Sequence, residues 1–297
     1  MPHIGLTLHT AVSLAIILTT LSALLRFVRH RWAQFISAGA WEAALVCLVF
    51  ALWQVVGGMA RTRVTGGISH GYAVWRTERA WHLPSEAWVQ SWIIPHPTLV
   101  HFSDWYYAGA HLNSMWMFLV WMFIRHREHY TRWRNVVILS TGMCLLLQMI
   151  PVAPPRFLAG IGVIDLPLKY GESVYGYFGS TIADQLSAMP SVHVGWCVLI
   201  AYAVITTSPS RWRWLILLHA GLTIFVVVAT GNHFWFDGFA AAAFVALAIV
   251  IQRGLERFAY PLVRWRIGWR PTQPDAAASG DLNPAATRLP ARNIYAR

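Results

Sequence analysis

The sequence predicts an all-α membrane protein, a polytopic transmembrane helical bundle with about seven spans. Of the 297 residues, 57% are hydrophobic and only 12% are charged, whereas soluble domains carry roughly 25% charged residues. The mean hydropathy is positive, at +0.47. A helix crosses a bilayer with about 20 mostly apolar residues. The apolar runs that approach or reach this length are 8–28, 39–59, 104–124, 136–152, 190–205, 214–229 and 234–251.

The first run, 8–28, is expected to be a retained helix with its N-terminus outside the cell. A secretory signal peptide carries its basic residues before the apolar region. Here Arg26, Arg29 and Arg31 follow the apolar region instead. The segment Ala38-Gly39-Ala40 resembles a cleavage site, but the order of the charges argues against cleavage.

The stretch between the second and third runs is not predicted to be a simple span. Gly66-Gly67 and Gly71 are expected to break any helix there. Pro84-Ser85-Glu86 is typical of a helix start, and the tryptophan-rich segment 87–94 suits a short helix that lies in the membrane interface or dips into the membrane. Glu42, near the start of the second run, is interpreted as an interfacial acid rather than a functional intramembrane one.

Connections rich in arginine or proline are predicted between the later runs. A basic loop covers 125–134, and the fourth run stops at the prolines of 151–156, which cannot continue the hydrogen-bond ladder of a helix. A loop is expected over 157–186. Pro190 is expected in the first turn of the fifth run, where its missing N–H costs nothing. A tight basic turn, 208–213, leads to the sixth run.

The positive charges orient the bundle. Of the 23 Lys and Arg residues, 17 fall in loops and in the C-terminal tail on one side, and the remaining six fall on the other side. Cytoplasmic loops carry the excess of positive charge, so Arg156, His193 and His233 are predicted at the extracytoplasmic end. The net charge of +11 is then a topology signal, and no nucleic-acid partner is expected. The tail from Pro271 is predicted to be disordered.

Two of these outward-facing segments carry a histidine that could take part in phosphoryl transfer. His233 and Asp237 are four residues apart and share a helix face, so the carboxylate can fix the imidazole tautomer and leave the other nitrogen nucleophilic. His193 lies at the same end of another helix and could protonate a leaving oxygen. Arg156 could bind a phosphate bidentately, beside the free N–H groups of the helix that starts near Ser191. These parts suit a phosphohistidine reaction that needs no metal or cofactor.

Other interpretations stay open for the same residues. His193, His233 and Asp237 are also a two-histidine, one-carboxylate set of the kind that binds metal ions, and a lone membrane histidine is more often a packing residue. Asp104 and His111 are seven residues apart, two helical turns on one face. They either contact a substrate headgroup or are simply interfacial polar residues, and the second interpretation is favoured.

Three short segments resemble the motifs of the type-2 phosphatidic acid phosphatase superfamily. Pro190-Ser191-Val192-His193 resembles its second motif, Pro-Ser-x-His, and His233-Phe-Trp-Phe-Asp237 resembles its third, His-x-x-x-Asp. Pro154-Pro155-Arg156 stands where the arginine of the first motif would be. The resemblance covers roughly residues 104–252. It implies an extra N-terminal transmembrane helix, a six-helix phosphatase or phosphotransferase core and a basic, disordered cytoplasmic tail, over 1–37, 38–256 and 257–297 respectively.

The resemblance also implies roles for the residues. His233 is the nucleophile, His193 the acid and Asp237 the group that orients His233. The substrate is a membrane phospholipid or a polyprenyl phosphate entering from the outer leaflet, and the second substrate is water or an alcohol or lipid hydroxyl. The expected substrate-binding residues are Arg156, Ser191, Asn232, Asp104 and His111.

Two cations of the superfamily motifs are missing from this sequence. The lysine expected seven residues before Arg156 is Met149, and the arginine expected six residues before His233 is Val227. Phe157 replaces a usual proline. The Ala-Pro-Pro-Arg and Gly-Asn-His-Phe-Trp variants resemble the fungal inositol phosphorylceramide synthase branch, which favours transfer of a phosphoinositol-type headgroup. A non-enzymatic lipid transporter on the same core and a polyprenyl-phosphate phosphatase remain alternatives, with missing charge supplied by Lys169, Arg76 or Arg79.

Overall fold

The computed structural model describes residues 7–60, 65–170 and 186–259, and these ranges contain helices and turns but no β-strand. The α-helices are α1 (Leu8–Leu25), α2 (Arg31–Ala60), α3 (Gly67–Ala80), α4 (Glu86–Ser91), α5 (Pro97–Arg125), α6 (Arg127–Leu147), α7 (Leu166–Tyr170), α8 (Val192–Thr207), α9 (Ile216–Ala229) and α10 (Trp235–Gly254). Short 3₁₀ turns lie at Pro155–Phe157 and Arg211–Leu215, and a π-helical turn at Leu255–Ala259. The all-α prediction is confirmed.

Several of these helices can cross a bilayer. In the described part of the chain, those that are both long and apolar enough are Leu8–Leu25, Arg31–Val55, Arg211–Ala229 and Trp235–Phe258, with Val192–Thr207 shorter but also apolar. The helices α5 and α6 have 29 and 21 residues, and at 1.5 Å per residue each reaches the roughly 30 Å of a hydrocarbon core. The predicted transmembrane helical bundle is therefore confirmed as a fold class.

The first two helices form an antiparallel hairpin. The Ser37 hydroxyl donates to the Ser22 carbonyl oxygen at 2.8 Å, and the Gln34 amide donates to the Val28 carbonyl oxygen at 2.7 Å across the connecting turn. Farther along α2, both carboxylate oxygens of Glu42 lie 2.7 Å from Arg134 Nη1. The acid that was interpreted as interfacial is thus an ion-pair partner that joins α2 to α6.

The prediction that Gly67 and Gly71 interrupt any helix is wrong, because both lie inside α3. Gly66 alone leaves the helix, with φ of +86° just before the first turn. An added Cβ at Gly71 would lie 2.8 Å from the Ala153 carbonyl oxygen. These glycines therefore allow α3 to approach the segment that follows α6, where the Ala153 N–H donates to the Gly67 carbonyl oxygen.

Two predicted boundaries are also wrong. The basic segment 125–134 is not a loop, since α5 and α6 are separated only at His126 and α6 begins at Arg127. Pro190 is not in the first turn of its helix, because Ser191 is the N-cap and α8 starts at Val192. The predicted helix start at 84–86 is confirmed, with Ser85 as the N-cap of α4. Part of the predicted loop 157–186 (171–185) and the tail from 271 lie outside the described residues.

Three apolar clusters hold the helices in place. The largest joins α5, α6, α8 and α10 around side chains such as Met122 and Leu199. The second joins α4, α5, α8 and α9 around Val100 and Val227. The third is small and packs the segment after α6 against Phe234, just before α10. The second and third clusters lie next to the histidines described below.

Candidate active site

The turn between α9 and α10 sets the position of His233. The chain reverses at Gly231, whose φ of +67° lies in the left-handed region open to glycine. The backbone N–H groups of Asn232 and His233 both donate to the Val227 carbonyl oxygen, at 3.2 and 3.1 Å. These bonds hold His233 just ahead of the first turn of α10, where it is buried.

His233 and Asp237 form a buried pair. Nδ1 of His233 lies 3.2 Å from Asp237 Oδ2 and 2.8 Å from the Ala188 carbonyl oxygen. Because both neighbours are acceptors, Nδ1 carries the hydrogen and donates it. Nε2 therefore carries the lone pair, and among the residues that the structure describes it has no hydrogen-bonding partner. Asp237 Oδ2 also accepts from the Phe234 N–H at 2.8 Å, which fixes the carboxylate that orients the imidazole.

His193 faces His233 from the start of α8. The two ring centroids are 5.4 Å apart with an interplanar angle of 54°. The Ser191 N–H, at the N-cap of α8, donates to the Asp237 carbonyl oxygen at 3.1 Å. This backbone bond joins the starts of α8 and α10, so the residues of the two predicted motifs lie in one place.

Two residues of α5 complete the surroundings of His193. Tyr107 stacks on its imidazole, with centroids 4.4 Å apart and planes within 18°, and the centroid of His111 lies 3.9 Å away. The Tyr107 ring is also 6.2 Å from that of His233. The His111 Nδ1 atom lies 3.2 Å from the Tyr107 carbonyl oxygen and so carries the hydrogen that it donates to this acceptor. His111 therefore lies beside His193 in the candidate site.

Arg156 lies on the 3₁₀ turn that follows the prolines, and its guanidinium is almost completely buried. Its Nη1 donates to Asn232 Oδ1, and its Nε lies 3.7 Å from Asp165 Oδ1. The Asn232 amide in turn donates to Thr230 Oγ1 at 2.7 Å. Asn232 thus holds Arg156 next to the turn that bears His233.

The approach of Arg156 requires a glycine at 231. The Arg156 N–H donates to the Gly231 carbonyl oxygen at 3.1 Å. An added Cβ at Gly231 would lie 2.7 Å from Val163 Cγ1 and 3.3 Å from Arg156 Cβ. Close backbone contact therefore brings the first-motif arginine to the third motif.

The other expected binding residues are placed as follows. Ser191 is fully buried, and its hydroxyl accepts from the Val194 N–H at 3.3 Å as a helix cap. Asp104 is buried on α5, two turns before His111. Of the cations that could supply extra charge, Arg76 and Lys169 are exposed, and Arg79 Nη2 lies 3.4 Å from a Glu86 carboxylate oxygen.

Sequence reasoning missed two residues next to the predicted set. Tyr107 is on the same α5 face as Asp104 and His111, so the periodicity that paired those two could also have selected it. Glu78 belongs to none of the motifs, yet its carboxylate accepts a hydrogen bond from the backbone N–H of Phe236 in the first turn of α10. No pattern in the sequence indicates that contact.

The metal-binding alternative has no support from this arrangement. In the described ranges, no group of three or more His, Cys, Asp and Glu side chains is arranged to hold a metal ion.

A family model described as the PAP2 superfamily matches residues 72–251, more than half of the chain. The chain belongs to the PAP2 superfamily. Searches of curated proteins and of solved structures found no significant match. The resemblance to this superfamily is therefore confirmed, and the match extends farther towards the N-terminus than the predicted 104–252, into α3. The resemblance to the fungal synthase branch is not confirmed and stays a proposal.

Membership has two general consequences. The PAP2 superfamily catalyses phosphoryl transfer or hydrolysis and acts on phospholipid-type substrates. Its membrane setting and the long apolar helices of this chain fit an integral membrane protein.

Proposed function

We propose that this protein is an integral-membrane lipid phosphotransferase or phosphatase that works through a phosphohistidine on Nε2 of His233. One observation carries the proposal. The other nitrogen of His233 is committed to the Ala188 carbonyl and to Asp237, while Nε2 is buried, has no partner in the described chain and belongs to a ring that faces His193. This is the arrangement that a nitrogen nucleophile with an adjacent acid requires.

The first step forms the phosphoenzyme. Nε2 of His233 attacks phosphorus, and the bond from phosphorus to the lipid alcohol oxygen breaks as His193 gives that oxygen its proton. The positive charge that develops on the His233 ring is stabilised by the Asp237 carboxylate. Arg156, held by Asn232, is the cation proposed to bind the phosphate oxygens.

The second step releases the phosphoryl group. His193, now neutral, takes a proton from water or from an acceptor hydroxyl, whose oxygen attacks phosphorus while the bond from phosphorus to Nε2 breaks. Water gives hydrolysis and an alcohol gives transfer. Transfer of a phosphoinositol-type headgroup is favoured because the Gly231-Asn232 variant resembles the fungal synthase branch, and a polyprenyl phosphate is the alternative substrate. The site is proposed to face the extracytoplasmic side, as the distribution of Lys and Arg predicts.

The test uses purified protein in lipid nanodiscs. Phosphatidylinositol labelled in its headgroup is supplied with and without ceramide as acceptor, and lipid and water-soluble products are separated. Labelled lipid product indicates transfer, and labelled water-soluble product alone indicates hydrolysis. His96→Ala is a matched control because His96 is an exposed histidine that precedes α5.

The variants His233→Ala and His193→Ala decide the mechanism. Both should lose turnover while His96→Ala keeps it. Wild-type turnover in either variant would refute the proposed roles. Movement of lipid across liposomes without any release or transfer of phosphate would instead support the transporter alternative.

A further inference from the structure

Two glutamates are buried on either side of the α3–α4 turn, Glu78 near the end of α3 and Glu86 at the start of α4, outside every motif of the proposed reaction. Glu78 and Glu86 have no exposed surface. In the described part of the chain, the Arg79 guanidinium lies near both carboxyl groups, with its Nη2 3.4 Å from Glu86 Oε1 and 3.8 Å from Glu78 Oε2. Burial of a carboxyl group is costly, and apolar residues of similar volume often serve stability better. Packing alone therefore does not explain Glu78.

Glu78 contacts the first turn of the helix that carries Asp237. Its Oε1 accepts from the Phe236 N–H at 2.7 Å. The first N–H groups of a helix have no partner within the helix, and here Asp237 takes that of Phe234 while Glu78 takes that of Phe236. The cap comes from a residue 158 positions away in the chain. It fixes the backbone immediately before Asp237.

The same α3–α4 turn holds the neighbouring side chains. The Trp235 indole N–H donates to the Pro84 carbonyl oxygen at 2.9 Å, and the Trp81 ring packs on the Phe236 ring with centroids 5.1 Å apart. The turn is itself closed by a bond from the Leu83 N–H to the Glu78 carbonyl oxygen at 3.1 Å. Residues 235 and 236 are thus fixed from outside α10.

Glu78 can play this part without adding a charge beside Asp237. Burial, and the neighbouring carboxyl groups of Glu86 and Asp237, raise the pKa of Glu78 to about 9. Glu78 lies on α3, outside the candidate membrane spans. The raised pKa favours the neutral acid, whose carbonyl oxygen can still accept the Phe236 N–H.

We infer that Glu78 is a positioning residue, which fixes the first turn of α10 so that Asp237 holds His233 with Nε2 towards the reacting phosphorus. This inference rests on the proposed function of the His233–Asp237 pair. It assigns the α3–α4 turn to the reaction, although none of its residues needs to touch the substrate.

The test compares Glu78→Gln with Glu78→Leu. The glutamine keeps an oxygen acceptor for the Phe236 N–H, and the leucine removes it at similar volume. Glu78→Leu should lower kcat by about 10- to 100-fold, the size expected for a displaced catalytic group, with KM within about twofold. Glu78→Gln should stay within about threefold of wild type. Thr77→Val is the matched control, because the Thr77 hydroxyl bonds only within α3.

A second background tests whether Glu78 acts through Asp237. In Asp237→Asn protein, the added Glu78→Leu substitution should lower kcat by less than about a further twofold. The effects of two residues that act through one another on kcat are not additive. A full additional loss in that background, a wild-type kcat for Glu78→Leu, or a glutamine variant as slow as the leucine variant would each overturn the inference. If Glu78→Leu is not recovered folded, Trp235→Phe replaces it, with an expected loss of about three- to tenfold in kcat.

Hydrogen exchange separates this inference from the proposed function. In Glu78→Leu, peptides that contain Phe236 should exchange faster than in wild type, with no change in peptides from α5, and Glu78→Gln should match wild type. If wild-type protein shows no phosphoryl transfer, the proposed function fails, and unchanged exchange in Glu78→Leu shows separately that Glu78 does not hold α10.

Discussion

His233 and His193 face each other in one site but are held in different ways. Hydrogen bonds to the Ala188 carbonyl and to Asp237 fix the His233 ring. His193 is enclosed mainly by rings, with Tyr107 stacked parallel to it at 4.4 Å, and its imidazole also interacts with the Tyr107 backbone carbonyl. Hydrogen bonds to fixed acceptors set both the direction and the tautomer of an imidazole, whereas stacking fixes the plane of the ring without selecting the nitrogen that carries the hydrogen.

This difference matches two chemical tasks. A nucleophile must present one lone pair to phosphorus along a fixed line. An acid must lose a proton in one step and regain it in the next. The fixed ring is therefore the one proposed to attack, and the stacked ring is the one proposed to exchange protons. Substitutions at these residues distinguish the proposed nucleophile, His233, from the proposed acid, His193.

The largest effect is expected for His233→Ala. Without the nitrogen nucleophile, turnover should fall by about 10⁴-fold or more, and no labelled phosphoenzyme should form when labelled lipid is mixed with protein and quenched at alkaline pH. His193→Ala should still form some labelled phosphoenzyme, more slowly. Label that remains on His233→Ala protein would assign the nucleophile to another residue.

His193→Ala is expected to cost about 10²- to 10⁴-fold with a natural lipid alcohol as leaving group, the usual worth of a general acid. For the first step, measured as the burst of nitrophenolate, the loss should shrink to less than about tenfold with a nitrophenyl ester of the same phosphate, since nitrophenolate leaves without a proton. His233→Ala should gain nothing from the better leaving group. Equal losses for both leaving groups would contradict the role of His193 as an acid.

Substitutions at Tyr107 test the stacking. Tyr107→Phe keeps the ring and should remain within about threefold of the wild-type kcat. Tyr107→Leu removes the ring and should lower kcat by about tenfold, because an aromatic pair contributes roughly 0.5–1.5 kcal/mol beyond its buried area. The pH dependence of kcat should also differ from that of the wild type at its acidic end, and only in the leucine variant. A slow phenylalanine variant would mean that the hydroxyl, not the ring, matters.

The smallest effect is expected for Ser191→Ala. Loss of the N-cap bond to the Val194 N–H should cost about 1 kcal/mol of stability, seen as a drop of about 2 °C in Tm in detergent. The kcat value should stay within about threefold, because the link from residue 191 to Asp237 is made by the backbone N–H. Ser91→Ala, at an exposed serine, is the control. A large loss of kcat would instead support direct binding of substrate by the hydroxyl.

The helical fold could be predicted from the sequence because few backbone structures are stable inside a bilayer. Every backbone polar group must be satisfied internally, so long apolar runs become helices. The basic segment 125–134 was wrongly predicted to be a loop, because charged residues beyond the apolar core can continue a helix in water. Arg134 of α6 also forms an ion pair with Glu42 of α2. Pro190 was misplaced because proline and serine both favour helix starts, and here the serine hydroxyl provides the cap.

The candidate site was predictable to the extent that it is local. His233 and Asp237 are only four residues apart, and they meet because the Asp237 carboxylate in the first turn of α10 reaches back to the residues just before the helix. Tyr107 reaches His193 only through packing of α5 on α8, and Glu78 reaches Phe236 only through packing of α3 on α10. These contacts span 86 and 158 positions in the chain. Such contacts have no periodic signature, so they became visible only in three dimensions.

The bond from the Ser191 N–H to the Asp237 carbonyl has a consequence for how such proteins diversify. Both of its atoms belong to the main chain, so the spacing between His193 and His233 is inherited by any sequence that starts these two helices in the same way. The residues that line the remaining walls lie on other elements, α5 among them. Substitutions on those walls can therefore reshape the proposed lipid-binding surface while the two proposed reacting histidines keep their relative position.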